Sequence, residues 1–454
     1  MSQTDYKFRV AIVGCGISGL SVAAFISNFG KDTSQARIAV DIYEAKPEVS
    51  TLGAGVAIWK RSWQVLQNLG FEEDIVAKGF KVPKDGESRG PTFRKSDQSA
   101  EGYDFHNHMM PYGPLSLHRP TLLEILQSKL STDCKIYTSK RLVGYSASAG
   151  EAITLSFSDG STATADIIVG ADGVHSATRA SLFGLLGHGY KQYAAPTFNG
   201  TIVFRGMVPK SKMVATFPQH TGLESPKVHV VSHPIGTYVG LNCFHSRPEM
   251  EGKPYLGPLV SEAAAQDVCR LFENWEPDLR ALIENADSYT AWVIHVVNPL
   301  PCYVSGASVL IGDAAHSMTP HQGVGGGQGI EVHYISTVDQ LIEAIKDAYL
   351  LGRLLSHAST TRADIPAILK LYEALRLPPT QDAWEKSRIN GMMYEFNHPD
   401  FLFNDPSHTD GPSRDELERL GAAVGLSFMW LAEGNAEEDW AEAEARLNTI
   451  CGND

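Results

Sequence analysis

No stretch of the chain approaches 18 uninterrupted apolar residues, so no membrane-spanning helix is expected. The opening residues, MSQTDYKFRVAIVG, lack a charged n-region followed by a long apolar h-region, and no secretory signal is read there. Blocks of basic residues are missing too. Lys and Arg total 38 against 52 Asp and Glu, a formal net charge of −14. An acidic chain without a basic stripe suits neither nucleic acid nor an anionic membrane. Anionic small molecules stay open as ligands, since they need only one or two local cations. Cysteine is sparse and scattered: Cys15, Cys134, Cys243, Cys269, Cys302 and Cys451 form no CxxC and have no His at metal spacing. They read as reduced thiols, which points to the cytoplasm and to no metal site. The 454 residues leave room for two or three domains, and 43% hydrophobic residues supply a sizeable core.

Glycine, in contrast, is concentrated where nucleotides bind. FRVAIVGCGISGLSVAAFISNFG, residues 8–30, reads as a buried strand, a glycine turn and a buried helix. Gly14, Gly16 and Gly19 form GxGxxG in that context, with Ser18 at the helix start. Gly14 permits the tight turn, Gly16 lets the backbone approach a pyrophosphate, and Gly19 lets helix and strand pack closely. A second strand, IAVDIYEA, ends at Glu44 and Ala45. A carboxylate there accepts hydrogen bonds from a ribose and repels a 2′-phosphate, so the site holds FAD or NAD rather than NADP. The competing reading is a glycine turn that serves packing alone. A second glycine-rich loop, GDAAHSMTPHQGVGGGQG, follows at residues 312–329. It calls for either two nucleotides or one long nucleotide held at both ends.

Three further stretches favour FAD. GAGVAIW, residues 53–59, is suited to lie against a flat ring. HRPTLLEIL, residues 118–126, starts an amphipathic helix at Arg119, and DIIVGADGVHSATR, residues 166–179, is a buried strand ending in Asp-Gly. With these motifs in order, the chain resembles the class A flavin monooxygenases of the para-hydroxybenzoate hydroxylase fold, and within them the salicylate hydroxylase-like group. The likeness extends to about residue 380.

That resemblance implies one FAD, bound non-covalently and held at both ends. By it, Glu44 meets the adenosine ribose, Arg119 the phosphates or ribityl chain, and Gly55, Val56 and Ala57 the isoalloxazine. Gly312 and Asp313 would meet the ribityl chain, and Gly323, Gly325 and Gly326 the pyrimidine edge. Asp172 of the Asp-Gly motif would sit by the pyrophosphate and bear on NAD(P)H use; the alternative is a plain strand-to-helix turn. The family run GxGxxxAxEDA is altered here, with Glu331 kept and Val332 in place of Asp. The expected reaction is NADH- or NADPH-driven hydroxylation of a small phenol or aromatic acid by O2 through a flavin C4a-hydroperoxide. Decarboxylation of a salicylate is one specific form. A reductase on the same fold and a catalytically silent flavin scaffold are the competing readings.

The middle of the chain reads as an antiparallel sheet with one face covered: FNGTIVFRGMVP, KVHVVSHP and TYVGLNCFHS alternate apolar and polar. The resemblance implies that Arg205 faces a phenolate or carboxylate, with a salt bridge as its alternative. His233 and Tyr238 are further candidates, and so is His295, which stands where relatives have an aromatic and is a candidate base. Pro320 is the family position beside the flavin C4a, and His316 reads as structural. The fold class is therefore α/β: a Rossmann-type FAD-binding domain (1–80, 101–190 and 291–375), an inserted substrate β-sheet domain (81–100 and 191–290), and a C-terminal helical region (376–454). Residues 81–100 are placed at the edge of the substrate sheet, Pro378-Pro379 at the end of a helix. The acidic tail is expected to cap the cleft, to pair two copies, or to form a solvated covering helix, and the protein to be a monomer or a homodimer.

Overall fold

The computed structural model describes residues 6–31, 37–49, 55–83, 85–113, 115–147, 151–209, 211–212, 230–235, 238–322, 338–403 and 411–452. Its organising element is a six-stranded sheet. The strands lie in the order Val304–Ser305, Ser308–Leu310, Ile167–Gly170, Arg9–Val13, Ala39–Tyr43 and Cys134–Tyr137. All neighbours run parallel except the Val304–Leu310 hairpin. The central strands are apolar and buried over Val10–Val13 and Ile167–Val169 because both faces are covered, as parallel sheets require. The helix Ile17–Phe29 covers one part of this sheet, packed beneath Val338–Ser356.

A five-stranded antiparallel sheet forms the second unit, in the order Val230–Ile235, Tyr238–Ser246, Thr197–Pro209, Tyr289–Val296 and Val260–Ala263. One face packs on the helices Ala265–Leu271 and Pro277–Glu284, through Val208, Leu241, Cys243 and Tyr289. The other carries Val203, Phe244, Ile294 and Val296 toward Trp384. The α/β architecture with a separate antiparallel sheet thus agrees with the sequence.

Two expectations change. Residues 81–100 do not extend the five-stranded sheet. Asp85–Lys95 pairs instead with Tyr103–Tyr112 in a ribbon of its own. The buried Glu276 carboxylate fastens that ribbon to the helical side of the substrate unit, accepting from Arg94 Nε (2.9 Å) and Nη2 (2.8 Å), Ser96 Oγ (2.7 Å) and the Gly102 N–H (2.8 Å). Specific charge pairing, invisible to strand periodicity, decides its place.

Nor do Pro378 and Pro379 end a helix. They lie inside Ile365–Tyr394, and the 375/376 boundary falls within it. Two prolines remove two backbone donors at about 3 kcal/mol or more apiece. Continuous burial along one face, Tyr372, Arg376, Thr380, Ala383, Ser387 and Asn390, outweighs that loss. Thr380 Oγ1 also donates to the Arg376 carbonyl at 2.8 Å.

The acidic tail forms covering helices, each with one buried and one exposed side. Arg414–Phe428 packs on the ribbon, and Ala436–Cys451 packs on the long helix through Trp440, Ala443 and Leu447.

Candidate active site

The first glycine loop sits where the parallel sheet opens. Gly14 has φ +102°, and a Cβ there would run into the Ala171 carbonyl, so this turn is open only to glycine. Gly19 lies against the Gly14 carbonyl in the same way. Gly16 differs: a Cβ would meet nothing within 4 Å. It faces open space at the start of Ile17–Phe29, and no side chain caps that helix. The first-turn N–H groups are left to an anionic ligand. Glu44, at the tip of the second strand, accepts from the Cys15 N–H (2.9 Å) and the Lys46 N–H (2.9 Å), which fixes its carboxylate beside the loop, next to Ala45.

Asp172 sits against the same loop, yet its oxygens serve the turn. They accept from Ser176 Oγ (2.5 Å), the Thr178 N–H (3.0 Å) and Thr178 Oγ1 (3.1 Å) at the start of Ala177–Leu186. A residue the sequence reading passed over does more to connect the parts. Arg179 is fully buried and donates to the carbonyls of Ala314 (2.9 Å), Val174 (2.6 Å) and Ala194 (3.2 Å), tying the Asp-Gly turn to the second glycine loop. Burial pushes its pKa down to about 10.

The second loop meets the first directly. Gly312 has φ +55°, and a Cβ on it would strike Ser18 Oγ. Its N–H donates to Asp347 Oδ2 (2.9 Å), which also pairs with His316 Nε2 (2.7 Å). Arg376 Nε donates to Asp347 Oδ1 (2.7 Å) and its Nη2 to Glu343, which Lys346 joins at 2.8 Å. His316 is thus structural, as expected. Burial would raise both carboxyls, but Lys346 and Arg376 outweigh it at Glu343, and His316 and Arg376 outweigh it at Asp347. Glu343 is held down at about 2, and Asp347 well below the ordinary carboxylate range.

Among the described residues Asp313 has no comparable partner set. Burial pushes its carboxyl up to about 6, against the opposing influence of His316, Arg119 and Arg179. Arg119 begins Arg119–Ser128 directly after the strand Leu115–His118, which pairs with Gly55–Ile58. Gly55, Val56 and Ala57 are therefore placed on the strand leading the chain past Arg119. Gly323, Gly325, Gly326, Glu331 and Val332 lie outside the described residues.

Beyond His316 the loop reaches the substrate sheet. The buried Thr319 and Pro320 are pinned by Ser387, whose Oγ lies 3.1 Å from Thr319 Oγ1 and 3.2 Å from the His321 N–H. Tyr394 donates to the His321 carbonyl (2.7 Å), and the His321 ring lies 5.4 Å from Phe244. Phe244 shares its face of the sheet with Arg205, whose guanidinium stacks 4.4 Å from the Trp292 ring. Across from Arg205 is Asn242, 1% exposed, with neither amide atom hydrogen-bonded among the described residues. His295 is not brought to this face: along the strand it alternates with Trp292, Ile294 and Val296 and points the other way, toward Phe198 and His175. His233 and Tyr238 lie on the outer paired strands, opposite Gly240 and Ile235. A cavity of about 360 Å³ reaches Thr319 and His321 and is bordered by Val296, Trp384 and Glu395.

Two glycine loops in contact, an uncapped helix start and a strand-end glutamate make up a dinucleotide site of a flavoprotein, and the residues present fit FAD. Residues 7–387 match a family described as FAD binding domain, and the chain belongs to it. It is 30% identical to a salicylate hydroxylase of Pseudomonas putida over 98% of this chain and 97% of that protein. It is 28% identical to an FAD-dependent monooxygenase of Strobilurus tenacellus, over 97% of each. A solved salicylate hydroxylase substrate complex superposes with a TM-score of 0.75 at 26% identity, covering 96% of this chain and 98% of that one. The protein is an FAD-dependent monooxygenase of the aromatic hydroxylase type.

Proposed function

We propose that the chain hydroxylates a phenol or aromatic acid, with one FAD bound across both glycine loops. The balanced reaction takes the arene, O2, NADH or NADPH and a proton to the hydroxylated arene, water and the oxidised nicotinamide. With a salicylate, the ring carboxyl would leave as CO2. FAD, when bound, supplies hydride acceptance and oxygen activation; the protein positions the arene and excludes water.

The observation that carries this reading is the continuous run from Gly312 to His321. One end abuts Ser18 of the first loop, and the other abuts Phe244 on the sheet that bears Arg205. Arg205 and Asn242 make a buried polar pair suited to a phenolate or carboxylate. His321, rather than His295, is the imidazole on the substrate side, and Pro320 beside it borders the reacting ring. The named relatives include a salicylate hydroxylase, which supports the substrate class. Free thiols among the described residues suit work in the cytoplasm; the assembly proposed is a monomer or a homodimer.

The test follows NADH and NADPH oxidation, oxygen uptake and product mass across a panel of phenolic acids. A substrate-stimulated rate with a product one oxygen heavier, or with CO2 released, is expected. Bound FAD with no stimulation by any phenol would move the reductase or scaffold reading ahead.

A further inference from the structure

A second cavity, of about 300 Å³, lies between the Asp85–Tyr112 ribbon, the helix Ala265–Leu271 and the helix Arg414–Phe428. None of its lining residues belongs to either glycine loop. It meets the cavity at Thr319 and His321 through three shared residues, Ser246, Glu395 and Asn397. Ser246 Oγ hydrogen-bonds both Thr201 Oγ1 (2.9 Å) and the Glu395 carboxylate, so the two chambers adjoin across a polar neck.

The lining is aromatic: Phe93, Phe105, Phe244, Phe272, Trp275 and Phe396. The volume is twice the roughly 150 Å³ that holds a benzene ring, enough for a second ring. Its cations are committed elsewhere. Arg94 in the wall is held by Glu276 and Asp104, and Lys95, outside the lining, pairs with Asp97 at 2.6 Å. Burial, with Arg247 nearby, lowers the His245 pKa against Glu395 and Glu249. The carboxylates Asp97 and Glu395 line the wall, and among the described lining residues Arg94 is the one permanent cation. An aromatic chamber with such walls takes a neutral ring and rejects an anionic one.

We infer that this chamber binds a neutral aryl group, the non-reacting part of an extended phenol whose hydroxylated ring lies on the Arg205 side. That the aryl group belongs to the substrate rests on the hydroxylase reading; the binding itself does not. Trp275 is a built-in reporter, in edge contact with Phe272 at 5.1 Å.

The experiment titrates the FAD-loaded protein with 2-hydroxybiphenyl and with phenol, following tryptophan fluorescence, and repeats it with Trp275→Phe to assign the signal. It adds Leu271→Trp at the rim and Val424→Phe within the wall, each checked by thermal unfolding. 2-Hydroxybiphenyl should bind at least about ten-fold more tightly than phenol. Both narrowing variants should erase that preference while phenol binding stays unchanged. Equal affinities for the two ligands, or narrowed variants that keep the preference, would overturn the inference. If no phenol is hydroxylated yet the Trp275-dependent preference persists, the hydroxylase reading fails and the aryl chamber stands. If phenols are hydroxylated without that preference, the chamber fails alone.

Discussion

The two glycine loops frame one cleft but are held by different forces. The first is held by contact. Gly14 and Gly19 lie against backbone carbonyls, and to these contacts the Glu44 carboxylate adds one acceptor, for the Cys15 N–H. The second is held by charge: Asp347 receives Gly312, His316 and Arg376, and Glu343 backs them with Lys346. Fixed packing against backbone is insensitive to pH. A buried ionic cluster is sensitive to pH and draws on helices far along the chain.

The sharpest way to break this contrast is Asp347→Ala. It leaves Arg376 and His316 short of a partner in a buried site, at about 3–5 kcal/mol. Chemical denaturation should show a loss of that size, with FAD released on gel filtration. Asp347→Asn, which keeps an acceptor oxygen, should lose less.

The first loop offers a finer dissection. Gly14→Ala combines left-handed strain with overlap and should cost about 1–3 kcal/mol in the apoprotein. Gly16→Ala meets open space, so the apoprotein Tm should hold while FAD affinity falls. A lowered apoprotein Tm in Gly16→Ala would show that this glycine serves packing and not the pyrophosphate.

Acid should separate the loops next. Glu343 is held at about 2 against an ordinary value of 4.5. A depressed carboxyl contributes stability that is fully present above its ordinary value and lost as pH falls through the folded one. Stability should therefore decline between about pH 4.5 and pH 2. Unfolding followed across that range should give a shallower slope in Glu343→Gln.

The smallest expected effect has the opposite sign. Asp313 is raised from 3.8 to about 6, so its ionised form weakens the apoprotein above that pH, and the penalty is absent below its ordinary value. Asp313→Asn should raise the apoprotein Tm slightly at neutral pH and lower FAD affinity. A drop in both would mean that Asp313 is a packing residue.

The same contrast explains what the sequence disclosed. GxGxxG and Glu44 are legible because a strand, a turn and a helix within 40 residues suffice to build them. Gly312 and Asp313 are legible as a motif, but their supports are not. Glu343 and Asp347 look like the polar face of an ordinary helix until Arg376 is brought beside them. Arg179 reads as one more helix residue, although its guanidinium joins two loops. The proline pair was misleading for a related reason, since tertiary burial overrides a local break. On the substrate side, strand alternation finds the sheet, yet it does not say that Arg205 and His295 face opposite ways. Asn242 and His321 carry no motif of their own; only strand pairing and the reach of the Thr319–His321 segment bring them to one place.

The claim that the two loops share one flavin is tested most directly by calorimetric titration of the apoprotein with FAD. One FAD per chain is expected, with Gly16→Ala weakening both FAD and ADP-ribose, and Asp313→Asn weakening FAD alone. Two nucleotides bound per chain, or FAD binding indifferent to Asp313→Asn, would contradict the account.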